Sequence, residues 1–310
     1  MILCVNPNAG IDRIIVVPAF RLNAMHRPEQ VVALPGGKGC NVARALKQLG
    51  ESPVVTGWIG GHAGRFIEQG LQAEGIPTDF VRTDGESRTC LSILDPQNHT
   101  LTELYEQGDP VPIKKLEEFK LRFAASVKRY AAVTFSGSLP PGVPLDFYRQ
   151  MIEIARDANV LAVLDSSGEA LRLGIQAQPA LVKPNEKEFA DLSGKPPSNP
   201  IDFAQAAVEY AERYQTSVVI SLGAEGAIAA NERAVWRVRP PRVTAKSAVG
   251  SGDSMVAGIA YGLTNGFTFA DSIRCGVAAG TANALTLGAG AFTIDDFQRV
   301  LSQVSVARVG

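Results

Sequence analysis

Five short runs of almost unbroken apolar and β-branched residues constrain the fold of this chain more than any other feature. They occupy residues 2–5, 54–56, 132–135, 161–164 and 218–220. A strand with one solvated face alternates apolar and polar side chains, whereas a strand buried on both faces is continuously apolar. We therefore expect these runs to be central strands of a sheet that is covered on both sides.

Segments with helical periodicity lie between these runs. Apolar residues recur at helical spacing in three stretches, namely Val42, Leu46 and Leu49 before Gly50; Phe147, Met151, Ile154 and Ala155; and Phe203, Ala207, Tyr210 and Tyr214. Alternating strands and helices of this kind predict an α/β/α sandwich with a largely parallel central sheet.

Two segments, at about residues 10–34 and 86–107, interrupt this alternation. In the second, the runs 89–94 and 101–105 flank Pro96 and Asn98, which is the pattern of a β-hairpin. If the two segments meet in space they form a small sheet that projects from the main body, and we expect it to act as a lid. The sequence contains no long linker or internal repeat, so residues 1–310 are predicted to form a single domain with these two lid segments.

Composition excludes several functional classes. The chain has 30 basic and 31 acidic residues, so it lacks the positive field that nucleic-acid binding requires. Charges or prolines interrupt every apolar stretch before it could span a bilayer, and the first residues do not have the pattern of a secretion signal. The four cysteines form no CxxC pair and the three histidines lie at no metal-ligand spacing. We expect a cytoplasmic protein that binds neither nucleic acid nor membranes and has no His/Cys zinc site.

A glycine-rich turn at residues 248–255 is the most informative local feature. Gly250 and Gly252 allow close approach of a ligand to the backbone, and a helix beginning there presents free amides to an anion. Asp253, at the same helix start, is placed to accept a proton from a hydroxyl while the amides hold the phosphoryl group that this hydroxyl attacks. Taken alone, the same residues also suit a plain turn with a helix cap.

A second glycine cluster, residues 35–41, also precedes a helix. Lys38 and Asn41 add a cation and a bidentate polar group to it, which suits a ligand with several hydroxyls and a phosphate. A tight strand-to-helix turn is the alternative. The sequence has neither a P-loop nor a GxGxxG motif, so neither of these nucleotide-binding motifs applies.

With five further motifs, the chain resembles the PfkB family of carbohydrate kinases, which are ribokinase-like. The seven motifs, in order, are Asn6-Pro7-x-x-x-Ile11-Asp12, Gly36-Gly37-Lys38-Gly39-x-Asn41-Val42-x-Arg44, Ser136-Gly137-Ser138-Leu139-Pro140-Pro141-Gly142, Asp165-Ser166-Ser167-Gly168, Val182-Lys183-Pro184-Asn185-x-x-Glu188, Ser221-Leu222-Gly223-x-x-Gly226, and the Gly250 to Asp253 turn. The sequence is most similar to kinases of phosphorylated ketohexoses, such as tagatose-6-phosphate kinase and 1-phosphofructokinase. Residues 103–108 depart from the Asn-Glu-Pro-Gly run of many relatives, which leaves the identity of the sugar open.

The resemblance implies a kinase that uses ATP and Mg²⁺, and it gives a role to each matching residue. Asp253 is implied as the catalytic base, with the amides of Gly250, Ser251, Gly252 and Asp253 as the anion hole for the γ-phosphate. Sugar hydroxyls are implied to contact Asp12, Gly37, Lys38 and Asn41. ATP is implied to contact Lys183, Asn185, Ser221, Gly223 and Gly226, with Asn283 beside the adenine. Glu188 is implied to organise Mg²⁺ through water. From the residues alone, Glu188 suits a solvated helix and Asn283 a solvent-facing or capping position.

Positive charge in the sugar pocket distinguishes a sugar-phosphate kinase from a free-sugar kinase. Arg88, in the predicted hairpin, and Arg27, in the first lid segment, match positions that face the substrate phosphate in the ketohexose-phosphate branch. The planar guanidinium donates two parallel hydrogen bonds to a phosphate. An ordinary surface position is the alternative for both arginines.

The expected reaction is therefore ATP-dependent phosphorylation of tagatose 6-phosphate, fructose 6-phosphate or fructose 1-phosphate to a bisphosphate. One alternative is a kinase of an unphosphorylated sugar or nucleoside on the same fold. A sugar-binding regulator without catalysis is another, although a regulator would not need the base Asp253. The resemblance also implies a homodimer that pairs through the lid.

Overall fold

The computed structural model describes residues 1–194 and 200–309. Its strands, in chain order, are β1 (Ile2–Asn6), β2 (Gly10–Val16), β3 (Gln30–Gly36), β4 (Pro53–Gly60), β5 (Thr78–Thr83), β6 (Arg88–Asp95), β7 (Thr100–Tyr105), β8 (Ala132–Ser136), β9 (Leu161–Asp165), β10 (Leu181–Val182), β11 (Ser217–Ser221), β12 (Ala227–Asn231), β13 (Ala234–Arg239) and β14 (Ser305–Arg308). The helices are α1 (Lys38–Gln48), α2 (Gly61–Ala73), α3 (Ile113–Ser126), α4 (Phe147–Asp157), α5 (Gly168–Gly174), α6 (Glu186–Ser193), α7 (Pro200–Tyr214), α8 (Ser251–Thr264), α9 (Phe269–Ala284) and α10 (Ile294–Leu301).

A ten-stranded sheet forms the centre of the molecule, with the strand order β14-β13-β12-β11-β10-β9-β8-β1-β4-β5. The pairs from β5 to β11 are parallel. The last three strands, β12 to β14, are added antiparallel at one edge. The predicted largely parallel sheet is confirmed, and each of the five apolar runs is one of its strands.

Both faces of the sheet are buried, as the continuously apolar strands require. Ile2 and Cys4 of β1 belong to the apolar cluster on one face, formed with α1, α2, α8, α9 and α10. Leu3 and Val5 point the other way, into the cluster formed with α3 to α7. Successive side chains of a strand alternate between faces, so one short strand contributes to both halves of the core.

A second, four-stranded sheet has the order β3-β2-β6-β7 and contains the two segments that break the strand–helix alternation. Strand β2 pairs antiparallel with β3 and parallel with β6, which forms a hairpin with β7. The small projecting sheet expected from the sequence is confirmed, and we call it the lid sheet. Asp12 of β2 and Cys90 of β6 stand opposite each other across its central pair.

Asp95 closes the far end of the lid sheet. Its buried carboxylate accepts hydrogen bonds from the amides of Ala19 and Phe20, in the loop after β2, and from Gln97 and Asn98 of its own turn. Although burial alone raises the pKa of Asp95, these donors, beginning with Asn98, lower it to about 2. The carboxylate therefore stays charged and holds the two lid segments together.

Every helix in residues 1–194 and 200–309 is too short or too polar to cross a membrane. The four cysteines are buried as free thiols.

Candidate active site

A cleft of about 1310 Å³ lies where the lid sheet faces the carboxyl ends of the parallel strands. Its walls contain most of the residues singled out from the sequence, namely Asp12, Gly37, Lys38, Asn41, Arg88, Lys183, Asn185, Glu188, Ser221, Gly223, Gly226, Gly250, Ser251, Gly252 and Asp253. Ligand sites in open α/β sheets form outside the carboxyl ends of the strands. The structure thus brings the distant motifs of the sequence into one cavity.

The Gly250 turn places Asp253 at the N-terminus of α8. Gly250 has φ +78°, and a Cβ on it would lie 2.4 Å from the Cβ of Ala289, so both the conformation and the space require glycine. Ser254 makes the first i→i−4 bond of the helix, to the Gly250 carbonyl at 2.9 Å. The amides of Gly252 and Asp253 precede it and have no intrahelical acceptor. The Ser251 amide, in contrast, donates to the Ala248 carbonyl at 3.2 Å, so the turn itself uses one of the amides that were expected to bind an anion.

The Asp253 carboxyl is 6% exposed, and Asn41 Nδ2 donates to its Oδ2 at 2.9 Å. Burial raises its pKa to about 6, even though the charge of Lys38 and the hydrogen bond from Asn41 act in the opposite direction. The neighbouring charge of Asp165 adds to the increase. A carboxylate with a pKa near 6 is ionised at neutral pH and is a stronger base than an ordinary aspartate.

Asp165 ends β9 and lies between two lysines. Lys38 Nζ is 3.2 Å from one of its oxygens and Lys183 Nζ is 3.1 Å from the other. Asp165 is fully buried, yet the two lysines outweigh the effect of burial and hold its pKa below the ordinary value. Asp165 belongs to one of the sequence motifs, but the motif gave it no role. Its position at the end of a buried strand is the sequence signal from which it could have been found.

The wall that is predicted to bind the sugar combines Asp12 of β2 with the glycines before α1. A Cβ on Gly36 would lie 2.2 Å from the Asp12 carboxyl carbon, so glycine permits this close contact. Burial raises the pKa of Asp12, while the Gly37 amide and the charges of Arg88 and Arg44 oppose the increase. A carboxylate in this position is suited to accept hydrogen bonds from the hydroxyls of a ligand.

Arg88 enters the cleft from the start of β6. Its Nε donates to the Asn8 carbonyl at 3.1 Å and its Nη1 to the Glu106 carbonyl at 3.4 Å. These two bonds fix the guanidinium plane and leave the other N–H groups for a ligand. Arg27 is placed differently: it is exposed in the loop between β2 and β3 and does not line this cleft.

Asn185 and Glu188 form a capping box at the start of α6. Asn185 Oδ1 accepts from the Glu188 amide and Glu188 Oε2 from the Asn185 amide, both at 2.8 Å. One carboxylate oxygen of Glu188 is therefore engaged in the helix cap. In the part of the chain that the structure describes, no three His, Cys, Asp or Glu residues cluster closely enough to hold a metal ion between them. A metal here would rely mainly on ligand oxygens and water, which is how Mg²⁺ usually binds with nucleotides.

Asn283 does not border the cleft, contrary to the expectation that it lies beside an adenine. It is fully buried in α9, where its Nδ2 donates to the Val249 carbonyl at 2.8 Å and to Ser251 Oγ at 3.3 Å. Its Oδ1 accepts from the Gly290 amide at 2.7 Å. Because both ends of the amide are occupied, Asn283 supports the Gly250 turn from behind.

Comparison with known proteins agrees with this geometry. Residues 3–296 match the pfkB family of carbohydrate kinases. The chain is 33% identical to tagatose-6-phosphate kinase of Staphylococcus epidermidis, and the match covers all of both sequences. Two crystal structures of phosphofructokinase-2 from Escherichia coli, one with fructose-6-phosphate and one of a tetrameric inhibited form, each superpose with a TM-score of 0.89 at 30% identity, covering 97% of this chain and 98% of theirs.

Proposed function

The chain belongs to the pfkB family of carbohydrate kinases, and we propose that it transfers the γ-phosphoryl group of ATP to a hydroxyl of a ketohexose monophosphate, giving the bisphosphate. It is a phosphotransferase with an alcohol group as acceptor. One observation carries the proposal: the buried Asp253 carboxyl stands at a helix N-terminus in the same cleft as Arg88. The acceptors considered are tagatose 6-phosphate, fructose 6-phosphate and fructose 1-phosphate.

Asp253 acts as the general base in this proposal. It orients the attacking hydroxyl and takes its proton as the new phosphate ester forms. The free amides of Gly252 and Asp253, together with the positive end of α8, stabilise the negative charge on the transferring group. Gly250 supports this arrangement because only glycine fits the turn that exposes these amides.

Two lysines supply positive charge along the path of transfer. Lys183 is 3% exposed, whereas Lys38 is 40% exposed, and both contact Asp165. Their two charges offset those of Asp165 and of the ionised Asp253, so phosphate groups meet two ammonium groups in a cleft whose carboxylates are compensated. Lys38 acts from the sugar side with Asp12, Gly37 and Asn41, and Lys183 acts from the nucleotide side.

ATP is proposed to bind along the wall that contains Lys183, Asn185, Ser221, Gly223 and Gly226. Gly223 and Gly226 have φ of +55° and +84°, so their turn brings backbone close to a ligand without side chains. The free carboxylate oxygen of Glu188 would organise Mg²⁺ through water, with phosphate oxygens as further ligands. When bound, the ion neutralises charge on the phosphates.

Arg88 supports a phosphorylated acceptor over a free sugar. Its guanidinium is held by two backbone carbonyls on the lid side of the cleft. A planar guanidinium with free N–H groups is suited to a phosphate. Arg27 has no such position within one chain, so of the two arginines only Arg88 lines the cleft.

The test is ATP turnover, followed as ADP release, with the three ketohexose phosphates, fructose and ribose side by side. We expect kcat/KM for at least one phosphorylated ketose to exceed that for fructose by about 10²-fold, which is the order expected from charged hydrogen bonds to the phosphate. Asp253→Asn, prepared in parallel, controls for a contaminating kinase. A preference for fructose or ribose would instead establish a free-sugar kinase, and binding without turnover would establish a regulator.

The lid sheet supports a further part of the proposal, a homodimer that pairs through this sheet. Every residue of β7 is exposed, and Leu101, Leu104, Tyr105 and Val31 place apolar side chains on this sheet. Light scattering at assay concentration tests the dimer, and a monomer would contradict it.

The free thiols also support a reducing, cytoplasmic location.

A further inference from the structure

Arg44 of α1 is a buried cation that the proposed chemistry does not use. It is 8% exposed, and it pairs with Glu74 through Nε to Oε2 at 2.8 Å and Nη2 to Oε1 at 3.1 Å. Burying an arginine is unfavourable unless its charge and its donors are satisfied. Glu74 satisfies only part of this requirement, and the remaining donors point towards the active site.

Those donors join three separate segments of the site. Nη2 also donates to the carbonyl of Pro35, immediately before the glycines of the sugar wall, at 3.0 Å. Nη1 donates to the carbonyl of Ala289 at 3.0 Å. Ala289 is the residue against which Gly250 packs, so a single guanidinium holds both glycine turns from behind.

The fourth partner of Arg44 is Asn41, at one helical turn from it. Arg44 Nη1 donates to Asn41 Oδ1 at 3.2 Å, and Asn41 Nδ2 donates to Asp253 Oδ2 at 2.9 Å. An amide side chain could in general be turned end over end. Here it cannot, because Arg44 has only donors and an ionised Asp253 has only acceptors. Arg44 therefore determines that the NH₂ group of Asn41 faces the carboxylate.

We propose that Arg44 is a positioning residue for catalysis, which acts through Asn41 to orient and ionise the carboxylate of Asp253. This inference rests on the proposed role of Asp253 as the base. Without Arg44, the Asn41 amide is free to rotate and the carboxylate loses a fixed donor. A hydrogen bond to the charged form of an acid favours ionisation, so its loss favours the protonated form.

Other charged groups also act on the ionisation of Asp253, and their effects must be distinguished from that of Arg44. Lys38 of α1 and Lys183 after β10 favour the ionised form, and Asp165 at the end of β9 disfavours it. None of these is among the hydrogen-bond partners of Arg44. Their contributions therefore stay in place when Arg44 is changed.

The principal variant is Arg44→Met, which keeps the buried aliphatic stem and removes the donors. We expect kcat to fall about 10- to 10²-fold, as for other small displacements of a catalytic group, and KM for ATP to stay within about threefold. The acid limb of the kcat profile should move to higher pH by on the order of one unit, the effect of one charged hydrogen bond. Arg44→Lys retains the charge and should recover part of both losses.

Glu74→Gln is the matched control, because it disturbs the same ion pair from the side remote from the cleft. Glu74→Gln should lower Tm but leave the acid limb of the kcat–pH profile unchanged. If Arg44 has only a structural role, kcat should follow Tm in both variants with no shift of the pH profile, and that result would overturn the proposal.

A double-mutant cycle with Asn41→Ala tests the route of the effect. In the Asn41→Ala background, Arg44→Met should cause no further shift of the acid limb. A second, equal shift would show that Arg44 acts independently of Asn41 and would contradict the proposal.

Direct titration separates this inference from the proposed function. The carboxyl of Asp253 is followed by ¹³C NMR without substrate, and Asp253→Asn identifies its signal. A higher pKa in folded Arg44→Met supports the inference even if no ketohexose phosphate is turned over. An unchanged pKa would refute it even if the wild-type protein is an active kinase.

Discussion

Replacing Asp253 with asparagine should inactivate the enzyme and stabilise the fold at neutral pH. Burial raises the pKa of this carboxyl from 3.8 to about 6. Each unit of difference between folded and unfolded states corresponds to about 1.4 kcal/mol, so ionised Asp253 destabilises the folded state by about 3 kcal/mol. Asparagine has nearly the same shape and carries no charge. It also keeps an oxygen that can accept the hydrogen bond from Asn41.

The sign and pH range follow from the direction of this shift. Because the folded pKa is the higher one, the folded protein retains the proton over a range in which the unfolded chain has lost it. Stability of the wild type therefore falls as pH rises from about 4 through about 6, and the full penalty persists above that range. Asp253→Asn does not lose stability in this way. The amount by which its free energy of unfolding exceeds that of the wild type should therefore grow by about 2 kcal/mol between pH 4.5 and pH 8.

Urea unfolding of both proteins at several pH values measures the difference in their free energies of unfolding. The control is Asp295→Asn, at an exposed position. Its free energy of unfolding should depend on pH in the same way as that of the wild type. In the same preparation, kcat of Asp253→Asn should fall by about 10²–10⁴-fold while ATP affinity stays within a few-fold. Parallel stability profiles for Asp253→Asn and the wild type would refute the argument that burial raises this pKa. Near-full turnover would refute its assignment as the base.

Three other predictions test different parts of the cleft. Arg88→Ala should raise KM for the sugar phosphate by about 10²-fold and leave KM for ATP nearly unchanged. Arg88→Lys should recover part of this loss. Equal losses of kcat/KM on free and phosphorylated ketose would show that Arg88 has a structural role instead. Asp165→Asn should lower Tm, because two lysines lose their shared counterion. It should also move the acid limb of the kcat–pH profile to lower pH, because a negative charge near Asp253 disappears. A shift of this limb to higher pH would contradict the prediction. Hydrogen exchange across residues 10–34 and 86–107 should slow when the sugar phosphate is added, and unchanged exchange in both segments would exclude closure of the lid.

The fold was largely predictable because its signals are local and repeated. Strand β1 shows this most clearly, since its unbroken apolar run reflects side chains that alternate between two buried layers. Strands β10 and β12 gave no such signal. Ala-rich β12 contains few of the β-branched and aromatic residues typical of strands, and β10 has only two residues. Such strands are determined by their neighbours in the sheet.

The placement of a residue in the cleft was predictable where a glycine or a charge stood beside the start of a helix, as at Asp253. The sequence failed where the role depends on distant partners. Arg44 and Glu74 are 30 residues apart, and nothing local shows that they pair. Asn283 lies in an apolar helix, and only the packed structure shows that its amide is fully occupied by the Gly250 turn and Gly290. Hydrogen bonds across the fold are invisible to sequence periodicity.

The chain passes between the main sheet and the lid sheet four times, at residues 7–9, at Gly37, at residues 84–87 and at residues 106–112. A sheet that is joined to the rest of the molecule by one segment can rotate in any direction. A sheet that is joined at several points along one edge can rotate only about the line through those points. Any movement of the lid sheet is therefore expected to be a rotation about that line, and it would carry Asp12 and Arg88 together because they stand on paired strands. With the roles proposed for these two residues, the sugar hydroxyls and the sugar phosphate would be engaged or released in a single movement.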